Sequence, residues 1–230
     1  MKYKTEKKGN HEEVSTFCVP LKIIEDDVKD FLSLSPDTLM HTLRVARIAQ
    51  DLSATTEKRV DLNILMSSCL LHDNARPFIE RSKGDMSLHA KEGAHLAQDY
   101  LNEKKLFDKS MNKKIVRCIE EHSRSVGPKP STIEAKILFD ADKLDAFNHF
   151  RISRYFKNLA INNQGKSQLS LYRGNRIKNF TVEEFVAYFN KKLNSIADSL
   201  FLPSSKEEAE RLLPLSLQFL QTIEKSSFLN

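Results

Sequence analysis

The chain has 230 residues, of which 40% are hydrophobic, 29% charged and 8% aromatic, and its formal net charge is +5. Six glycines and seven prolines are too few for the frequent turns of a β-sandwich, and no period-2 alternation is sustained, so the expected fold is all-α. No run of about 18 apolar residues exists to cross a membrane, and the basic opening Met1-Lys2-Tyr3-Lys4 has no apolar stretch behind it, which argues against a secretory signal.

Residues 1–19 are polar, lysine-rich and aperiodic, and read as a mobile arm. Ser35-Pro36 is an N-cap followed by proline at the first helical position, and the apolar stripe after it predicts a helix to about residue 54. Asp61 to Leu71 is a second helix, apolar on most sides and therefore central. Ser87–Leu101 and Asn112–His122 make two more, and Ser123–Pro130 is a loop. Ser131 with Glu134 forms a capping-box signature, opening a helix expected to run past Tyr155. Ile161–Asn179, mostly polar with two glycines, reads as a loop or irregular insertion. Thr181 with Glu184, and Ser204 with Glu207, repeat the capping-box signature and open the last helices. The expected division is a core over 20–160 and a helical extension over 161–230 packed on it.

Cys18, Cys69 and Cys118 are odd in number and far apart, so they suit small buried side chains in a reducing, cytoplasmic compartment. From Ala146 to Val182 there is no acid, while Arg151, Arg154, Lys157, Lys166, Arg173, Arg176 and Lys178 all occur. That stretch is either a solvated face or a lip that attracts phosphates.

His72-Asp73 follows directly on the apolar run Cys69-Leu70-Leu71. Two polar groups at the end of a buried helix need partners, and a divalent metal satisfies imidazole and carboxylate together. His41 shares a helix face with Val45 and Ile48. In Asp140-Ala141-Asp142, helical geometry sets the two carboxylates about 200° apart, so that Asp142 can serve a site, with Asp145 beside it at i+3, while Asp140 points elsewhere.

His41, His72-Asp73 and Asp142, in that order, resemble the H…HD…D signature of the HD-domain superfamily of metal-dependent phosphohydrolases. His-Thr-Leu-Arg-Val-Ala at 41–46, Leu-Leu-His-Asp at 70–73, Glu-Glu-His at 120–122 and the run over 132–146 strengthen it, and the nearest likeness is to bacterial single-domain HD hydrolases. The resemblance implies an HD-domain helical bundle with a C-terminal helical extension. It implies one divalent metal, Mn, Fe, Ni, Zn or Mg, held by His41, His72, Asp73 and Asp142. His89 and His122 are then either ligands of a second metal or contacts to substrate phosphate. Asn74-Ala75-Arg76-Pro77 departs from the family pattern after the HD pair, and Arg76 there suggests a phosphate contact.

The expected function is hydrolysis of a phosphate ester or phosphoanhydride, of a nucleotide, by a metal-activated water, with Asp73 sharing a proton with that water. Arg44, Arg76 and Lys143 are the expected contacts to substrate phosphate. Two rivals stand beside this reading. One is a di-iron oxygenase of the H-HD-H-H-D type; the other is a non-catalytic nucleotide or nucleic-acid binder.

Overall fold

The computed structural model describes residues 19–123, 127–153, 159–161, 167–173 and 176–227. Leu21, Ile24 and Val28 recur at helical spacing and bury one face of α1 (Val19–Phe31), a helix the sequence reading left unassigned. Pro36 opens α2 (Pro36–Thr55) with Ser35 at its N-cap, although the serine side chain makes no capping bond. Asp61 does cap α3 (Leu62–Leu71), accepting from the N–H groups of Asn63 and Ile64. After α4 (Arg76–Ser82), a 3-10 turn (Met86–Leu88) leads into α5 (His89–Lys104). Then follow α6 (Lys109–Glu120) and α7 (Ile133–Leu144).

Every residue of α3 from Ile64 to Leu71 is buried, because α1, α2, α6 and α7 all pack against it. The expectation of a central helix is met. Its C-terminal end carries His72 and Asp73 into the middle of the bundle, where both are fully buried.

Both ends of α7 differ from those read in the sequence, and α5 and α6 are shifted by two or three residues at each end. Thr132, one residue later than Ser131, caps α7 by accepting from Ala135 N–H. Ser131 instead donates through its backbone N–H and its hydroxyl to the Glu121 carboxylate at 2.7 and 2.8 Å, and Glu134 accepts from Asp61 N–H at 3.0 Å. Helix α7 also stops at Leu144 rather than passing Tyr155. Asp145–Phe147 tightens to a 3-10 turn, and Asn148 is extended and accepts from Phe150 N–H at 2.9 Å, starting the new helix α8 (His149–Ser153). Tyr155 and Phe156 lie outside the described residues, as do residues 1–18 and much of the basic stretch, including Arg154, Lys157 and Lys166.

The segment read as a loop over 161–179 is corrected to an antiparallel sheet of β1 (Leu159–Ile161), β2 (Ser167–Arg173) and β3 (Arg176–Thr181), in that order. Arg173 pairs directly with Arg176, so the Gly174-Asn175 dipeptide between them was a hairpin signal. Helix α9 (Val182–Ala197) starts with the expected capping box of Thr181 and Glu184. Helix α10 (Pro203–Ser227) starts before Ser204, so the Ser204–Glu207 box does not form. Its entry is fixed from α7: the buried Asp140 carboxylate accepts from Phe201 N–H at 2.9 Å and Leu202 N–H at 2.8 Å.

The last helices join the bundle's core. Phe185, Phe189, Leu193 and Ile196 of α9, with Ala209 and Leu220 of α10, belong to the same apolar cluster as Val45, Leu65 and Ile137. Each fully buried phenylalanine there contributes on the order of 1.5–3 kcal/mol by leaving water, so α9 is firmly seated against the bundle. No helix among the described residues is long and apolar enough to cross a membrane.

Candidate metal centre

Three of the site histidines are placed by the same local device. His72, just past the end of α3, turns its Nδ1 back onto Cys69 O at 2.7 Å. His89, at the start of α5, does so onto Met86 O at 2.8 Å, and His122, just past α6, onto Ile119 O at 2.5 Å. A carbonyl only accepts, so in each ring Nδ1 carries the proton and Nε2 presents a lone pair. His41 lies inside α2, where backbone carbonyls are taken by the helix. Its Nδ1 donates instead to Asp145 Oδ2 at 2.7 Å.

All four Nε2 atoms converge on Asp73. Its Oδ2 lies 3.2 Å from His41 Nε2 and 3.5 Å from His72 Nε2. Its Oδ1 lies 3.9 Å from His89 Nε2 and 3.7 Å from His122 Nε2. Asp142 Oδ1 adds a further carboxylate oxygen 3.2 Å from His41 Nε2. His41, His72 and Asp73 thus form one cluster able to hold a metal, and Asp73, His89 and His122 form a second, with donor atoms in each within 4.8 Å of one another.

Neither oxygen of Asp73 accepts a hydrogen bond among the described residues, although the residue is fully buried. His72 and His41 face each other Nε2 to Nε2 at 3.4 Å, and His89 and His122 do so at 3.2 Å. In the neutral rings these are lone pairs set against lone pairs, which repel. A divalent cation turns this repulsion into attraction and gives the Asp73 oxygens, which accept no hydrogen bond, an ion to bind as well. The donor set therefore fits a metal.

The electrostatics of the cluster agree. Burial pushes the His72 imidazole down to about 3 and the His89 imidazole down to about 4, so both rings are neutral at pH 7. Burial also opposes ionisation of Asp73 and Asp142. Arg76 together with the imidazoles of His72, His122 and His41 outweighs it for Asp73, and Lys143 together with His41 and His72 does so for Asp142, so both carboxyls lie well below the usual range. His41 is the exception. Burial and Arg151 act to lower its pKa, but Asp142, Asp145 and Asp73 prevail and raise it, so a proton competes for the nitrogen that faces Asp73.

The cations expected at the substrate phosphate separate into two groups. Arg44 is committed to Asp145, with Nε 2.5 Å from Oδ1 and Nη2 3.1 Å from Oδ2, and it does not line the cleft that opens on the centre. Arg76 and Lys143 do line that cleft, which measures about 450 Å³. Arg76 Nε lies 2.5 Å from Asp73 Oδ2, and Lys143 reaches back to pair with Asp142 although its Cα–Cβ direction diverges from it. Arg151, Lys191 and Lys192 complete the basic lining. The two lysines of α9 were missed, since a Lys-Lys pair in a terminal extension carries no chemical signature of its own. Asp140 points away to α10, as its spacing from Asp142 implied. His149 stacks on Phe219 at 4.6 Å rather than bordering the centre.

Residues 38–146 match the family model of the HD domain. This chain contains an HD domain. All the histidines and carboxylates of the centre lie inside the matched segment, whereas Arg151 and the α9 lysines lie outside it. The fold is similar to a predicted HD superfamily hydrolase from an uncultured Thermotogales bacterium, at 23% identity and a TM-score of 0.58, over 90% of this chain and 92% of that one. It is also similar to Bacillus subtilis YpgQ, at 22% identity and a TM-score of 0.61, over 90% and 95% of the two chains. A Lactobacillus plantarum protein matches at 17% identity and a TM-score of 0.56, over 93% and 99%. No curated protein matches in sequence. The structural likeness extends beyond the HD domain itself, so the helices that follow it are part of the shared fold.

Proposed function

We propose that the protein is a metal-dependent phosphohydrolase acting on a phosphate ester or phosphoanhydride of a nucleotide. The observation that carries this reading is Asp73, a buried carboxylate without hydrogen bonds whose two oxygens face two separate pairs of imidazole nitrogens. His41, His72, Asp73 and Asp142 would hold one divalent ion, and His89 and His122 would hold a second that shares Asp73. Such an ion would supply a coordinated water of lowered pKa and polarisation of a phosphoryl oxygen.

The chain's own residues supply the rest. Asp145 fixes the His41 tautomer, and Arg44 braces Asp145, which makes Arg44 a positioning residue rather than a phosphate contact. Arg76, Lys143 and Arg151 border the cleft and neutralise charge on the substrate. Asp73 shares the proton of the attacking water as a catalytic carboxylate. The size and basic lining of the cleft support a nucleotide, as does the Tyr188 ring at its edge. The partition into a core over 20–160 and an extension over 161–230 is retained as part of this reading, with α9 walling the cleft. A cytoplasmic location agrees with the free, buried thiols of Cys69 and Cys118.

The test is elemental analysis of protein purified without chelator, followed by phosphate and pyrophosphate release from nucleotides with Mn, Fe, Ni, Zn or Mg. Two ions per chain and metal-dependent release, lost in Asp73→Asn, are expected. A chain that takes up no metal, or release that persists in chelator, would sink the reading. The four-histidine set also suits a di-iron oxygenase, and two irons with substrate-dependent oxygen uptake would replace hydrolysis by that activity.

A further inference from the structure

Helix α9 presents one polar stripe to the cleft. Tyr188, Lys191, Lys192 and Ser195 follow at i, i+3, i+4 and i+7, and all four line the cleft that opens on the metal centre. The adjacent stripe, Phe185, Phe189, Leu193 and Ile196, is buried in the core and fixes the helix in place. The Lys192 ammonium lies 5.2 Å from the centroid of the Phe189 ring, which holds it toward this wall.

The positive charge of the cleft is unevenly committed. Arg76 pairs with Asp73, Lys143 with Asp142, and Arg151 lies 3.9 Å from Asp145. Each cation nearest the metal centre is therefore matched to a carboxylate of that centre. Lys191 has no carboxylate partner among the described residues, and no acid from α9 lines the cleft. A substrate presenting a single phosphoryl group at the centre leaves this second positive pole unused.

We propose that Lys191 and Lys192 dock a second anionic group of the substrate, separate from the phosphoryl group at the centre, and so select di- or polyphosphorylated compounds over simple monoesters. The inference rests on the phosphate-binding reading of the site. It assigns specificity to a helix outside the HD-domain segment, which ends at residue 146. Variation in α9 can then change what is bound while the metal ligands stay the same.

Calorimetry on the manganese-loaded full chain tests it with two inert probes, methylphosphonate and methylenediphosphonate, carrying one and two anionic groups. In the wild type the diphosphonate is expected to bind more tightly. In Lys191→Ala/Lys192→Ala the ratio of the two affinities falls by roughly tenfold or more, as expected for loss of charge-assisted contacts. The double variant Lys191→Arg/Lys192→Arg restores it. Chelation of manganese by the diphosphonate is common to all variants and cancels in the comparison. An unchanged ratio, or equal weakening of both probes, overturns the inference. Turnover of nucleoside di- and triphosphates by the wild type, read as phosphate or pyrophosphate release, tests the hydrolase reading separately. Absence of turnover with a lysine-dependent affinity ratio would discard hydrolysis and keep the second anion site.

Discussion

Asp145 and His41 stand 104 residues apart in sequence and meet at 2.7 Å, with His41 Nδ1 donating to Asp145 Oδ2. Arg44, one helical turn beyond His41, closes on the same carboxylate at 2.5 and 3.1 Å. The contact ties α2 to the turn after α7, and it determines which nitrogen His41 offers to the centre. Asp145→Asn, whose amide can present a donor to the ring, is expected to weaken divalent-metal affinity by about 10–100-fold, the usual cost of losing such a partner. Titration of chelator-treated protein with manganese measures it. An affinity equal to wild type would remove Asp145 from the machinery.

Asp73 faces both histidine pairs, so its loss should be felt at both metal positions. Asp73→Asn is expected to lower metal content below that of His122→Ala, which spares the His41–His72 cluster. Elemental analysis of the two variants side by side gives the answer. Equal stoichiometry in both would mean that Asp73 is not shared.

Gly93 packs α5 against the His72–Asn74 turn that follows α3. A Cβ there would lie 3.0 Å from His72 O and 3.1 Å from Asn74 Oδ1. Alanine normally favours a helix interior by about 1 kcal/mol over glycine, but here the nearest obstacle is a backbone carbonyl that cannot rotate away. Gly93→Ala is expected to destabilise by about 1–3 kcal/mol, the usual cost of overpacking, and to weaken metal binding by displacing His89. A rise in thermal midpoint would contradict this account.

Acid should unfold the metal-free protein in two stages. His72 and His89 have pKa values lowered by burial to about 3 and about 4, from an ordinary value of 6.5. Below pH 6.5 the unfolded chain therefore binds protons that the folded chain refuses, and stability falls as pH drops toward 4, by up to about 1.4 kcal/mol per unit for each ring. Asp145, against a burial effect that acts to raise its pKa, is lowered to about 2 by His41 and Arg44. Its contribution is held above the ordinary value of 3.8 and lost as pH falls from there toward 2. Thermal unfolding in chelator from pH 7 to pH 3 tests the sequence of events, and a flat profile between pH 6.5 and 4 would refute it.

Asp140 offers a contrast with its neighbour Asp142. It is buried, yet it serves α10 through the N–H groups of Phe201 and Leu202. Asp140→Ala leaves both donors unpaired and is expected to cost about 1–3 kcal/mol while metal stoichiometry stays at the wild-type level. Loss of metal in a folded Asp140→Ala protein would place it in the centre after all.

The bundle was legible because its signals are local. Ser35-Pro36, the apolar run to Leu71 and the Thr181–Glu184 box each specify an element within a few residues. His72 and Asp73 stood out because a polar pair at the end of a buried helix has few explanations, while His89 and His122 were singled out only by the family resemblance, and the structure brings all four side chains to one place. The sheet over 159–181 was not: its strands are short, and the dipeptide Gly174-Asn175 was the one local sign of a hairpin. Arg44 was assigned to phosphate because i+3 spacing shows that it lies near His41 but not that Asp145 arrives from another helix to claim it. Lys191 and Lys192 became meaningful only once the packing of Phe185 and Phe189 had turned their stripe toward the cleft.

The three imidazoles braced by main-chain carbonyls differ from His41 in how exposed they are to genetic change. Cys69, Met86 and Ile119 lend only their carbonyl oxygens, so replacing their side chains leaves the acceptor itself in place. His41 alone can be misaligned by a single substitution at a distant codon, that of Asp145. A random library selected for retained metal binding should therefore tolerate apolar exchange at 69, 86 and 119, and be nearly silent at 145.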